Sequence, residues 1–263
     1  MNPASASYAF SVTDGDIFTN INGAQVAVAG KRAIIRPDTG IALAVVGPSY
    51  KIIKHQDLVD LASEALKQQG RSFELKVHMT HDGARLNCHF LLEELVTVGK
   101  PELGDVVALE LILRNSYDGF SSVSFEVSGL RLVCKNGLRV PQVISRLRRI
   151  HTQSLEIDDL QKEIRQVVDF FTGQAASFWN ALNRKELPRE VGVEVIEQSV
   201  KSRRFPKKYV ETIQQTWEGA TARTAWELYN AFTAVITHSI SPKSYERGRL
   251  LSYQVDRIFR ELT

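Results

Sequence analysis

Three features of this chain predict an α+β protein: an antiparallel, hairpin-rich sheet with one crossing helix, followed by a mostly helical C-terminal half. Short apolar runs with period-2 alternation, punctuated by Pro, Gly, Asn and Asp, fill residues 31–140. One segment of helical period interrupts them near residues 56–70. From about residue 141 the apolar spacing turns helical and stays so. The expected organisation is an N-terminal arm over 1–30, a sheet-plus-helix domain over 31–140, and a helical region packed on it over 141–263.

Residues 1–30 read as an irregular arm with a few short strands. Residues 33–35 and 42–46 are apolar runs of strand length, and Pro37-Asp38-Thr39-Gly40 between them carries hairpin turn residues. In "QDLVDLASEALKQQG", Leu58, Leu61, Ala62, Ala65 and Leu66 share one helical face, with Asp57 in the first turn and Gly70 as the stop. Phe73, Leu75, Val77 and Met79 alternate with polar residues, Asp82-Gly83 signals a two-residue hairpin, and Leu86, Cys88 and Phe90 alternate on the return. A further strand runs up to Asn115-Ser-Tyr-Asp-Gly119, and a pair follows up to Cys134-Lys-Asn-Gly137. Five helical segments complete the chain, from "SLEIDDLQKEIRQVVDFFTGQAASFWNALN" to "SYERGRLLSYQVDRIFREL", with Pro188, Pro206 and Pro242 near helix starts.

Composition narrows the class. Of 263 residues, 43% are hydrophobic and 24% charged, as in globular proteins. The first residues lack the basic start and apolar core of a signal peptide, and no apolar run reaches the roughly 20 residues of a spanning helix. The expectation is a cytoplasmic protein without a membrane partner, its two cysteines being free thiols. No phosphate-binding loop, dinucleotide fingerprint, metalloprotease helix or nucleophile elbow is present.

Three groups of residues could carry chemistry. Asp38, Asp82 and Asp118 each sit at a turn; together they could hold a divalent ion, but capping of turns explains them more simply. His78, His81, Cys88 and His89 are dense in potential ligands, yet their spacing fits no structural zinc pattern, and Cys134 has only His151 near it in sequence. The reading is therefore no catalytic residue, no metal and no cofactor. The basic runs carry more. "KNGLRVPQVISRLRRIH" holds Lys135, Arg139, Arg146, Arg148, Arg149 and His151 without an acid. "KSRRFPKKY" holds Arg203, Arg204, Lys207 and Lys208 with Phe205 and Tyr209 between. Cations along one surface suit phosphates, and interleaved aromatics suit unpaired bases.

Several phrases together resemble one family: "RPDTGIALAVVGPSYKIIKHQDLVD", "NSYDGFSSVSFEVSGLRLVCKNGL", the Arg149-Ile-His-Thr152 step and "TAWELYNAFTAVITHS". They are similar to the phage/plasmid-like domain-of-unknown-function family 932, over about residues 30–240. The resemblance implies a mobile-element setting more than an activity, and it brings no established catalytic residues to carry over. With the basic runs, it leads to an expected function in single-stranded DNA binding or strand annealing during recombination, by a homo-oligomer. Two alternatives stand beside it: an interaction protein that binds a phage or host protein and inhibits a host defence system, and a metal-dependent nuclease-like enzyme.

Overall fold

The computed structural model describes residues 8–99, 105–131, 145–149, 151, 157–240 and 245–262. Eight strands and six α-helices follow one another as β1 (Thr13–Ile21), β2 (Ala24–Arg36), β3 (Ile41–Val46), α1 (His55–Gln68), β4 (Phe73–Thr80), β5 (Arg85–Val98), β6 (Asp105–Ser116), β7 (Val123–Arg131), β8 (Ser145–Arg149), α2 (Ile157–Arg184), α3 (Arg189–Lys201), α4 (Val210–Glu218), α5 (Ala225–Ser239) and α6 (Tyr245–Arg260). The class is the α+β class expected. One sheet has the order β1-β2-β3 and the other the order β4-β5-β6-β7-β8. Among the described residues no helix is long and apolar enough to cross a membrane.

Two compact units emerge, and each is assembled from separate stretches of chain. The first takes Met1–Leu92, Leu111–Glu126 and Arg146–Val167, and the second takes Glu93–Glu110, Val127–Ser145 and Val168–Thr263. Neither unit follows the run of residues before or after 140.

In the first unit the sequence signals fold largely as read. Arg36 pairs with Ile41 across the Pro37-to-Gly40 turn, whose Gly40 has φ +69°. Helix α1 buries Leu58, Val59, Ala62, Ala65 and Leu66, and His55 joins them on the same face. Its end is closed by Gly70 at φ +72°, with the Arg71 N–H donating to Leu66 O. Three local readings change. Residues 13–30 are mostly ladder, not irregular arm: β1 and β2 pair across a tight Asn22-Gly23 turn with φ of 52° and 85°, the geometry for which Asn-Gly is suited. The β4–β5 connection is longer than two residues, because Thr80 pairs with Arg85 and the residues between them contain a 3₁₀ turn over His81–Gly83. Residues 145–149, expected at the start of the helical half, form strand β8 at the edge of the larger sheet.

The second unit is organised by aromatic rings. Trp179, Trp217, Trp226, Tyr229, Phe232 and Phe259 are buried, and Tyr229 meets Phe259 edge to face at 5.1 Å. Core packing was the expected role of the tryptophans, and they fill it. Two glycines admit these rings. A Cβ on Gly129 would lie 2.5 Å from the Trp179 ring, and one on Gly192 would lie 2.5 Å from Nε1 of Trp217.

Gly192 lies within α3, where alanine would ordinarily gain up to about 1 kcal/mol. The clash reverses the sign, so Gly192→Ala is expected to lower the unfolding free energy by about 1–3 kcal/mol. Gly219→Ala, whose Cβ would meet its nearest neighbour at 3.4 Å, is the matched control and should be near neutral by chemical denaturation.

Candidate functional site

Three of the four family-like phrases, distant in sequence, meet in the first unit around His55, while the fourth, residues 224–239, forms α5 in the second unit. Asn115, Ser116 and Tyr117, at the end of β6, are fully buried, as is His55 at the start of α1. His55 Nε2 lies 2.9 Å from Gly83 O. A carbonyl only accepts, so Nε2 carries the proton and Nδ1 of the neutral ring is the acceptor. Asn115 supplies the matching donor: its Nδ2 sits 2.9 Å from His55 Nδ1 and also donates to Ile53 O at 2.8 Å. Tyr117 lies against the same ring, with centroids 4.0 Å apart, and its hydroxyl accepts from the His55 N–H at 2.8 Å. Burial above all holds His55 down at about 4, with the Gly83 hydrogen bond opposing the shift and nearby His151 adding to it.

His151 joins this hub. It is only 8% exposed. Its ring stacks on Tyr50 at 4.8 Å, and its Nδ1 faces Lys51 O at 3.1 Å. The Lys51 N–H donates to the His151 carbonyl, and the Tyr50 hydroxyl donates to Ser116 O at 2.7 Å. A histidine so enclosed cannot lie along an exposed phosphate track, which takes His151 out of the proposed cationic surface.

The aspartates at the turns are held by arginines. Asp38 receives three hydrogen bonds from the Arg36 guanidinium, which also donates to Asp82 O and covers the Phe10 ring at 3.9 Å. Asp118 pairs with Arg85 at 2.6 Å and caps its own loop by accepting from the Phe120 N–H. Arg85 in turn lies 3.6 Å over Phe120, which is 65% exposed. Asp118 therefore shapes a corner, as expected. Among the described residues no group of three His, Cys, Asp or Glu comes together. Cys88 is a core thiol, pushed up to about 12 by burial, and His78 meets His89 edge to face at 5.7 Å.

The two basic runs fare differently. Lys135, Arg139 and Cys134 lie outside the described residues. Arg146, Arg148 and Arg149 lie on β8 in the first unit. In the second unit, Lys201 pairs with Glu197 at 3.4 Å and Arg204 with Glu261 at 2.6 Å. Arg203, Lys207 and Lys208 are exposed and have no acidic partner among the described residues. Lys207 and Lys208, with Lys201, border an open depression of about 890 Å³ that Glu197 and Glu211 also line. The interleaved aromatics turn inward. Phe205 is 3% exposed and packs edge-on against Phe232 at 5.1 Å, and Tyr209 is 8% exposed. They are core residues, and base stacking on them is closed off.

Arg203 adds a conformational oddity. It follows the Ser202 C-cap of α3 with φ +57°, the left-handed position that glycine fills at low cost. The N–H groups of Arg204 and Phe205 both donate to Ser199 O, which locks the turn. No sequence spacing signals this, since arginine is not a residue expected there.

The hub predicts an acid response. The folded value of His55 lies below its ordinary 6.5, so the unfolded chain takes up the proton first. Its contribution is complete above pH 6.5 and is lost as pH falls through about 4, on the order of 3 kcal/mol. In urea titrations the stability gap between wild type and His55→Asn should shrink across that window; a constant gap would contradict a buried neutral imidazole.

The family model described as Domain of unknown function (DUF932) matches residues 42–254, a span that contains His55, the Asn115-to-Phe120 turn, His151 and the α3–α4 corner. No curated protein and no solved structure matches the chain. With most of its length covered by that one model, the chain belongs to the DUF932 family.

Proposed function

We propose that this protein binds nucleic acid, and single-stranded DNA in particular, through the cationic corner between α3 and α4. One observation carries the reading: Arg203, Lys207 and Lys208, on the segment that joins α3 to α4, are each exposed without an acidic partner among the described residues, and Arg203 holds a strained backbone position there. A left-handed non-glycine residue costs about 1–2 kcal/mol. A structural role alone would be met better by glycine, so the side chain is the reason to keep arginine.

With Phe205 and Tyr209 buried, contact at this corner is to phosphates and not to base faces. Such binding is independent of sequence and strongly dependent on salt. The mobile-element setting implied by the family-like phrases suits a cytoplasmic protein acting on single strands exposed during phage or plasmid recombination, with annealing as the outcome. The sequence of β8 adds three more arginines, Arg146, Arg148 and Arg149, in the first unit.

Two variants test this. Arg203→Gly should stabilise the protein by about 1 kcal/mol while weakening DNA binding, a combination that a purely structural arginine would not produce. The triple change Arg203→Glu, Lys207→Glu, Lys208→Glu should reduce the slope of log affinity for an unstructured oligonucleotide against log salt by about 2, from about 0.7 per phosphate contact on single strands. Absence of binding at low salt, or an unaltered slope in the triple variant, would refute the proposal.

A further inference from the structure

The β1–β2 hairpin breaks its ladder partway. Asp16 pairs with Arg32, yet the next pair is Phe18 with Ala27, so residues 28–31 face a single residue on β1. Gly30, at φ +70°, lies in this bulge. Beyond it, residues 18–27 form a four-pair ladder closed by Asn22-Gly23, and every one of these residues is exposed. The segment is therefore a two-stranded arm, about 15 Å long, with no covering on either face among the described residues. A ladder of this size is marginal on its own in water.

Its chemistry indicates what covers it. Residues 18–27 contain no charge, and neither does β3. The larger sheet differs: its edge strand β4 carries Glu74 and Lys76, and its other edge β8 carries three arginines. Charges on edge strands prevent pairing between molecules. One sheet of this chain has that protection at both edges, and the other lacks it at the tip of β1 and along β3. Exposed apolar side chains follow the same division. Five of the nine large ones among the described residues lie on the three-stranded sheet: Phe18, Ile21, Val26, Ile41 and Val45.

We infer that the arm packs on a second copy of this chain, along the uncharged β3 edge, where Ile41 and Val45 are 39% and 62% exposed. The arm and its seat are different surfaces of one chain. Exchanged reciprocally, the contact closes a dimer; propagated head to tail, it generates a ring or a filament of discrete steps. An uncharged strand edge is matched by another uncharged edge, and each copy supplies both.

Sedimentation velocity of the full chain over a concentration series tests this. The wild type is expected to form discrete species larger than a monomer. Ile21→Lys with Val26→Lys, which charges one face of the arm, should give a monomer with an unchanged circular dichroism spectrum and melting temperature. Val45→Lys, on the proposed seat, should do the same independently. A monomeric wild type would overturn the inference, and flotation of that monomer with neutral lipid vesicles would assign the arm to a membrane instead. Association that survives both sets of changes, or a continuous aggregate without discrete species, would also overturn it.

Discussion

A backbone carbonyl that can only accept a hydrogen bond sets the order in the first unit. Gly83 O requires a proton on His55 Nε2; that leaves Nδ1 to accept and obliges Asn115 to present its amide nitrogen. The turn at residues 81–84, the start of α1 and the end of β6 are tied to one ring by these bonds. Tyr117 closes the remaining side by taking the His55 N–H. These bonds lie in a low dielectric that strengthens each of them, and together they favour one arrangement of the elements they join, although Asn115 Oδ1 and His151 Nε2 are buried without a hydrogen bond among the described residues. The His81 and Asp82 backbones, both at positive φ, are held in that conformation by a turn whose carbonyl the hub requires.

His151 extends the same logic over a hundred residues of chain. By stacking on Tyr50 and exchanging bonds with Lys51, it fastens the segment after β8 to the segment before α1. The cost is that imidazole is removed from any surface role. Arg36 and Arg85 work on the turns around the hub: each neutralises an aspartate and covers an aromatic ring. Asp38 and Asp118, which could read as ion ligands in one dimension, are ion-paired corners in three.

The second unit relies on a different principle, close packing of large rings against glycines. Its surface corner at α3 and α4 carries a left-handed arginine and two lysines without an acidic partner among the described residues, on a base formed by the buried Phe205 and Tyr209, with Lys208 over the Tyr209 ring. The rigid aromatic base gives these cations a fixed platform. In the first unit, the hairpin tip of residues 18–27 is uncharged and exposed on every residue, whereas Asp14 and Asp16 charge the base of the same edge strand.

Periodicity alone carried the α+β class, α1, the β2–β3 hairpin and all five C-terminal helices, because a helix face or an alternating strand is a local property of side-chain spacing. Asn22-Gly23 was also legible as a turn signal, although the arm around it was read as irregular. The assignment of residues 145–149 to a strand could not be read from so short and basic a run, since pairing with β7 decides it. The hub was equally hidden: His55, Gly83, Asn115 and His151 are distant in sequence, and only the folded chain brings them to hydrogen-bonding distance. Which cations remain free was also a tertiary matter, because Glu197 and Glu261 reach Lys201 and Arg204 through the packing of helices. Local spacing thus determined which elements form, and long-range contact decided which polar groups are buried in partnership and which are left facing solvent.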